Sequence, residues 1–248
     1  MFENLIWKAD RMLLDELIFR LEPSASADPN IDDQCFRFYK GRPLVGEYAA
    51  YWASLQNFTP GNVLELGIWD GGSTAFWFES LKPAKHVAID LQDKEDSVYF
   101  RQYVSSRGLE ENIKTYWRVN QADHAMISQI VAAEFAGPLD LVIDDASHHY
   151  QPTKQSFETL FPLLRPGGIY IIEDWAWAHW EGMQVGRFED EPTTLIFELI
   201  EALGTSQDLM TKATVYRGFT ALERGPVDLR GTSFKLENYI HRSRVVKS

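Results

Sequence analysis

The 248-residue chain predicts an α/β fold built on one doubly wound, seven-stranded, mostly parallel sheet. Three observations carry that reading. From residue 62 onward, short β-rich runs alternate with longer helical patterns, the rhythm of βαβ units. Two of the runs, Leu139–Asp144 and Gly168–Glu173, are apolar and of the length expected for buried strands. Near the end, Thr211–Arg217 and Phe219–Glu223 are separated only by Gly218, a tight pair that would close the sheet edge with its last strand antiparallel.

The elements follow in order. Residues 1–21 place apolar side chains at Leu5, Ile6, Met12, Leu13, Leu17 and Ile18, which predicts an amphipathic helix. Residues 22–43 carry Pro23, Pro29, Gly41 and Pro43 among serines and acids, and read as a loop or lid. A second helix is expected over 44–56. Strands are expected at 62–67, 86–90, 113–119, 139–144 and 168–173. Helices are expected at 73–81, 94–107, 124–135, 152–164 and 193–203. The organisation expected is an N-terminal helical cap or lid over 1–58, a ligand-binding domain over 59–224 and a polar tail over 225–248.

Composition narrows the function. The formal net charge is −12, so a nucleic-acid partner, which needs clustered Lys and Arg, is not expected. One cysteine, Cys35, excludes an internal disulfide framework and a cysteine-based zinc site, and its aromatic neighbours read as a buried setting. No run approaches the roughly 18 apolar residues of a membrane span. Acidic residues in the N-terminal segment speak against a signal peptide, so the expectation is a cytoplasmic protein with no membrane partner.

The segment Val63-Leu-Glu-Leu-Gly-Ile-Trp-Asp-Gly-Gly-Ser-Thr74 sets a glycine-rich turn between strand and helix. Glycine lets a ligand approach the backbone, and the helix start offers free N–H groups. The dinucleotide pattern Gly-x-Gly-x-x-Gly is absent, because Ile68, Trp69 and Asp70 separate Gly67 from Gly71. Glu65 would repel a pyrophosphate but suits an ammonium or sulfonium group. Asp90 ends the next strand, where a carboxylate can accept both ribose hydroxyls. Gln121 and Asp123 end the third strand, where an amide or carboxylate could meet an adenine edge. The ligand that fits is an adenosine bearing a charged amino acid and no phosphate, S-adenosylmethionine, with Glu65, Gly67, Gly71, Ser73, Asp90, Gln121, Asp123 and Asp144 as candidate contacts.

Two strands end in acidic pairs, Asp144–Asp145 and Glu173–Asp174. Carboxylates gathered at neighbouring strand ends repel one another, and a hard cation such as Mg2+ relieves the conflict. His148 follows Asp145 by three residues and would stand beside such a cation.

Over roughly residues 60–224 this pattern resembles the class I S-adenosylmethionine-dependent methyltransferases, whose Rossmann-like sheet inserts its seventh strand antiparallel. Val119-Asn-Gln-Ala-Asp123, Leu141-Val-Ile-Asp-Asp-Ala-Ser-His148, Leu160-Phe-Pro-Leu-Leu-Arg-Pro-Gly-Gly168 and Tyr170-Ile-Ile-Glu-Asp-Trp175 resemble a narrower group. That group is the metal-dependent sugar O-methyltransferases of macrolide biosynthesis, of the mycinamicin and tylosin type, with the related cephalosporin hydroxylase-like proteins. The resemblance implies Asp145, Glu173 and Asp174 as Mg2+ ligands, His148 as general base, and Asp144 facing the cofactor or supporting the turn. His149, adjacent, is the competing base. Trp175, Trp177, His179 and Tyr150 are candidate acceptor contacts, because aromatic faces bind sugars. The acceptor expected is a small molecule or saccharide, and homo-oligomers are common among relatives. The competing readings are a catechol-type acceptor, a catalytically silent cofactor-binding protein, and a nicotinamide-dependent oxidoreductase, against which Glu65 and the missing dinucleotide motif argue.

Overall fold

The computed structural model describes residues 4–21, 34–181, 191–206, 208–229 and 231–242, and divides into two compact units, residues 1–120 and 121–248. In the first unit, β1 (Leu5–Trp7), β2 (Arg11–Leu14), β3 (Leu17–Leu21) and β4 (Phe36–Phe38) form a four-stranded sheet in that order. This corrects the helix expected over residues 1–21. The apolar positions also satisfy a period of two: Met12 and Leu14, then Leu17 and Phe19, are buried. Leu14 pairs with Leu17, which leaves a two-residue turn at Asp15–Glu16, and Asp15 adopts the left-handed φ of 51° that such a turn demands.

The loop expected over 22–43 is corrected at its end. Phe36–Phe38 is a buried strand pairing parallel with β3, with Phe36 and Phe38 packed on Phe19. These two rings are core. The expectation for residues 22–33 lies outside the described residues. Cys35 is buried, as read from its neighbours.

The first unit continues with α1 (Arg42–Ser54), β5 (Asn62–Leu66), α2 (Gly72–Leu81), β6 (Lys85–Ile89), α3 (Val98–Ser106) and β7 (Ile113–Tyr116). The α3 helix starts four residues later than expected, because the Ser97 hydroxyl accepts from the Phe100 N–H at 3.2 Å and caps it there. Strands β5, β6 and β7 pair in parallel.

The second unit holds α4 (His124–Glu134), β8 (Leu139–Asp144), α5 (Tyr150–Leu160), β9 (Leu164–Glu173), α6 (Thr193–Thr205), β10 (Met210–Val215) and β11 (Phe219–Arg224). The helix expected to reach residue 164 stops at Leu160. Pro162, which has no N–H to continue the ladder, opens a short 3-10 turn over Phe161–Leu163. β9 begins at Leu164, four residues earlier than read. The larger sheet has the order β10-β11-β9-β8-β5-β6-β7, with β11 antiparallel to both β9 and β10. This is the mostly parallel seven-stranded sheet with an antiparallel last strand that the sequence predicts.

Among the described residues after 224, the polar tail expected carries apolar side chains that pack onto the protein. Leu229, Phe234 and Leu236 are buried, and Phe234 packs its ring 6.2 Å from Phe157 and 6.0 Å from Phe161. Three apolar side chains spaced through a polar stretch carry that packing, too sparse a pattern to register as periodicity. No helix among the described residues is long and apolar enough to cross a membrane.

Candidate active site

The turn between β5 and α2 is shaped by glycine and one carboxylate. Gly67 and Gly71 have φ of 99° and 83°, conformations that a side chain disfavours. A Cβ on Gly71 would also stand 2.5 Å from the Phe100 ring, and one on Gly72 would overlap the Arg37 carbonyl oxygen. Asp90 is 7 % exposed and gathers the turn: Oδ2 accepts from the N–H of Ile68 at 2.8 Å and of Trp69 at 2.9 Å, and Oδ1 from that of Gln92 at 2.8 Å. The α2 helix starts with no side-chain cap, and Ser73 is half-buried in its first turn. Its first N–H groups therefore face whatever occupies the turn.

Glu65 is fully buried. Its Oε2 accepts from the Thr74 hydroxyl at 2.7 Å and lies 3.2 Å from His86 Nε2, while Oε1 has no hydrogen-bond partner among the described residues. A buried carboxylate oxygen left open beside a glycine turn fits a ligand carrying an ammonium group. His86 escaped the sequence reading. It lies one residue into its strand, and only the diagonal pairing of β5 with β6 brings it to Glu65. Arg37 was missed too. Its guanidinium stands 4.9 Å over the Trp69 ring, and Tyr39 packs 5.7 Å from the same ring.

In the second unit, β8 and β9 run parallel with Asp144 opposite Ile172, so their acidic ends adjoin. Asp145, His148 and Asp174 each offer a ligand atom within 4.8 Å of the others, and all three are half-buried. His148 Nε2 lies 3.8 Å from Asp145 Oδ1. His149 is exposed and turned toward Trp177, with ring centroids 6.4 Å apart, so the histidine beside Asp145 is His148. Glu173 is 2 % exposed and falls outside the three-residue set. Two carboxylates and an imidazole this close form a donor set that suits a divalent cation.

Asp144 points into the protein. Its carboxylate accepts from the hydroxyl of Ser156 at 2.6 Å, the hydroxyl of Tyr170 at 3.0 Å and the amide of Gln121 at 3.1 Å. Burial pushes its pKa up to about 6, against hydrogen bonds from Ser156 and Tyr170 that pull it down. Gln121 returns its Oε1 to the Ser147 N–H at 2.8 Å. Asp123 caps α4, accepting from the Met126 N–H at 3.0 Å. The sequence predicts all three as cofactor contacts, and each is engaged within the protein.

The aromatic candidates divide. Trp177 Nε1 donates to the His148 carbonyl at 2.9 Å, and Trp175 Nε1 to the Tyr216 carbonyl at 2.9 Å. Tyr150 donates to Glu198 at 2.8 Å and accepts from Lys154 at 3.0 Å, a tie between α5 and α6. His179 Nε2 lies 3.2 Å from the Thr193 hydroxyl and 3.6 Å from Glu191.

Residues 64–175 match a family model described as a methyltransferase domain. The chain is 31 % identical over 202 residues to demethylmacrocin O-methyltransferase of Streptomyces fradiae, which covers 72 % of this chain and 45 % of that protein. It is 35 % identical over 127 residues to mycinamicin VI 2''-O-methyltransferase of Micromonospora griseorubida, covering 48 % and 28 % respectively. The solved structure of the methyltransferase MycE from the mycinamycin biosynthetic pathway, in complex with Mg, SAH and mycinamycin VI, superposes with a TM-score of 0.57 at 28 % identity, over 75 % of this chain and 50 % of that one. The chain spans about half the length, or less, of these relatives. Strand order, glycine turn and these likenesses agree: the chain carries a class I methyltransferase domain that resembles the mycinamicin-type enzymes.

Proposed function

We propose that this protein transfers a methyl group from S-adenosylmethionine to a hydroxyl of a sugar or glycosylated natural product, using Mg2+ and His148 as general base. The observation that carries the reading is the convergence of Asp145, His148 and Asp174 within 4.8 Å at the ends of two adjoining parallel strands. Two of the relatives named above are O-methyltransferases, the solved methyltransferase MycE is in complex with Mg and SAH, and they support the same assignment.

A sugar hydroxyl is a poor nucleophile at neutral pH. The cation supplies Lewis acidity, and the methyl donor supplies a carbon bonded to positively charged sulfur. Asp145 and Asp174 would hold the cation; Glu173, buried outside that set, would have to turn toward it to serve as a third carboxylate. His148 Nε2, 3.8 Å from Asp145 Oδ1, takes the hydroxyl proton. In the cofactor half, Glu65 Oε1 is open to the donor's ammonium, the start of α2 with Ser73 to its carboxylate, and the Gly67–Gly71 turn and Asp90 to the ribose. Gln121, Asp123 and Asp144 act behind the site through their hydrogen bonds. Trp175, Trp177, His179 and Tyr150 remain acceptor candidates, with the indole N–H groups of Trp175 and Trp177 already committed.

The test is methyl transfer from labelled S-adenosylmethionine, with Mg2+ present, to a panel of glycosides and catechols. The reading expects labelled glycosides. Label confined to catechols would move the acceptor class, and label in neither would overturn the proposal.

A further inference from the structure

His148 has φ 53°, a left-handed conformation that residues with a side chain adopt only where their surroundings hold them. Two hydrogen bonds bracket it. The Ser147 N–H, one residue before, donates to Gln121 Oε1 at 2.8 Å. The carbonyl of His148 itself accepts from Trp177 Nε1 at 2.9 Å. Neither brace comes from the turn itself: Gln121 lies 26 residues before Ser147, and Trp177 lies 29 after His148.

The Gln121 brace has a direction. The residue is 6 % exposed, and its Nε2 sits 3.1 Å from Asp144 Oδ1 and 3.2 Å from the Ser156 hydroxyl. An ionised carboxylate only accepts, so it must face the NH2 end of the amide. The Ser156 and Tyr170 hydroxyls donate into the same carboxylate at 2.6 and 3.0 Å, which fixes Asp144 in turn. The amide oxygen is thereby left facing the Ser147 N–H. The reversed amide would set oxygen against carboxylate and NH2 against N–H, two repulsive contacts in a buried place.

We propose that Gln121 is a positioning residue for the Asp145–His148 turn, its amide oriented by Asp144 and its oxygen holding the Ser147 N–H. The inference rests on the reading of Asp145 and Asp174 as cation ligands with His148 as the base beside them. The side-chain partners of Gln121 are Asp144, Ser156 and the Ser147 N–H, so it would act on the cation site through the backbone. It sets where Asp145 and His148 stand by holding the backbone between them. Partners of this outer kind tune metal affinity by about 10–100-fold when removed.

The test is Mn2+ binding followed by electron paramagnetic resonance on the whole chain, with S-adenosylmethionine binding by calorimetry alongside. Gln121→Met keeps length and apolar volume and deletes the hydrogen bonds to Asp144, Ser156 and the Ser147 N–H. Mn2+ binding should weaken about tenfold, with S-adenosylmethionine affinity within twofold of the parent. A folded Gln121→Met that binds Mn2+ like the parent overturns the inference. So does weaker S-adenosylmethionine binding with unchanged Mn2+ binding, the signature of a direct contact with the adenosine. Should Gln121→Met fail to fold, Ser156→Ala removes one side of the same cradle and should weaken Mn2+ about threefold; parental affinity there counts against the inference equally. A parent protein that binds no Mn2+ overturns the cation reading itself, a result distinct from a parent and variant that bind alike.

Discussion

Two strand-to-helix turns carry the proposed chemistry, and they keep their shape by opposite means. The turn after β5 is glycine-made: Gly67 and Gly71 supply positive φ, Gly72 supplies closeness, and Asp90 collects three backbone N–H groups. The turn after β8 has no glycine. It holds His148 in a left-handed conformation and braces it with the side chains of Gln121 and Trp177. Each turn hangs on a buried carboxylate, Asp90 bonded to main chain and Asp144 to side chains. The difference follows from the proposed tasks. A turn that lies along a ligand needs bare backbone, whereas one that presents a base and a metal ligand needs side chains at strained positions, and other residues must hold them.

Predictions follow from that contrast, the largest first. His148→Ala should lower methyl transfer by about 10²–10⁴-fold while leaving S-adenosylmethionine affinity intact, since the loss is confined to the side-chain-made turn. Full turnover in that variant removes His148 as base. Gly72→Ala should do the reverse kind of damage. Its Cβ overlaps the Arg37 carbonyl, so folding stability should drop by about 1–3 kcal/mol, with weaker cofactor binding and unchanged Mn2+ binding. Thermal unfolding and calorimetry read both, and an unperturbed variant would show that the β4 contact is not tight.

The carboxylate that anchors the second turn, Asp144, should also make stability depend on pH. Asp144 has a folded pKa raised to about 6 from 3.8, chiefly by burial, so between those values the folded state holds a proton that the unfolded chain has released. Stability from this group is therefore present below about pH 4 and lost as pH rises through about 6, a change on the order of 2–3 kcal/mol. Chemical denaturation of the parent and of Asp144→Asn across pH 4–7 should show the difference shrinking toward acid. A pH-independent difference contradicts it. The smallest effect concerns strain alone: His148→Gly should be more stable than His148→Ala by about 1 kcal/mol, because only glycine adopts φ near 53° at little cost. Equal melting temperatures would mean that the turn is not strained.

The contrast also decides what the sequence reveals. The glycine turn is legible because its cause is local: Gly67, Gly71, Gly72 and the acids at Glu65 and Asp90 stand at recognisable distances from strand ends. The sheet is legible for the same reason, since β5 through β9 each show as a short β-rich run. The acidic strand ends announce Asp145, His148 and Asp174, but not that Glu173 stays buried outside the set or that Asp144 faces inward. Those depend on which way a side chain leaves the last strand residue. The braces by Gln121 and Trp177, and the contact of His86 with Glu65, join residues more than twenty positions apart and leave no periodic trace. At the N-terminus, apolar residues at 12–14 and 17–19 fit periods of both 2 and 3.6, and strand pairing decided between them.

The central claim is tested most directly by one measurement: methyl transfer from labelled S-adenosylmethionine to a glycoside acceptor, in protein stripped of metal by chelation and then supplied with Mg2+. The account predicts no transfer in the stripped protein and recovery on adding Mg2+. Undiminished turnover in the metal-free protein would contradict it.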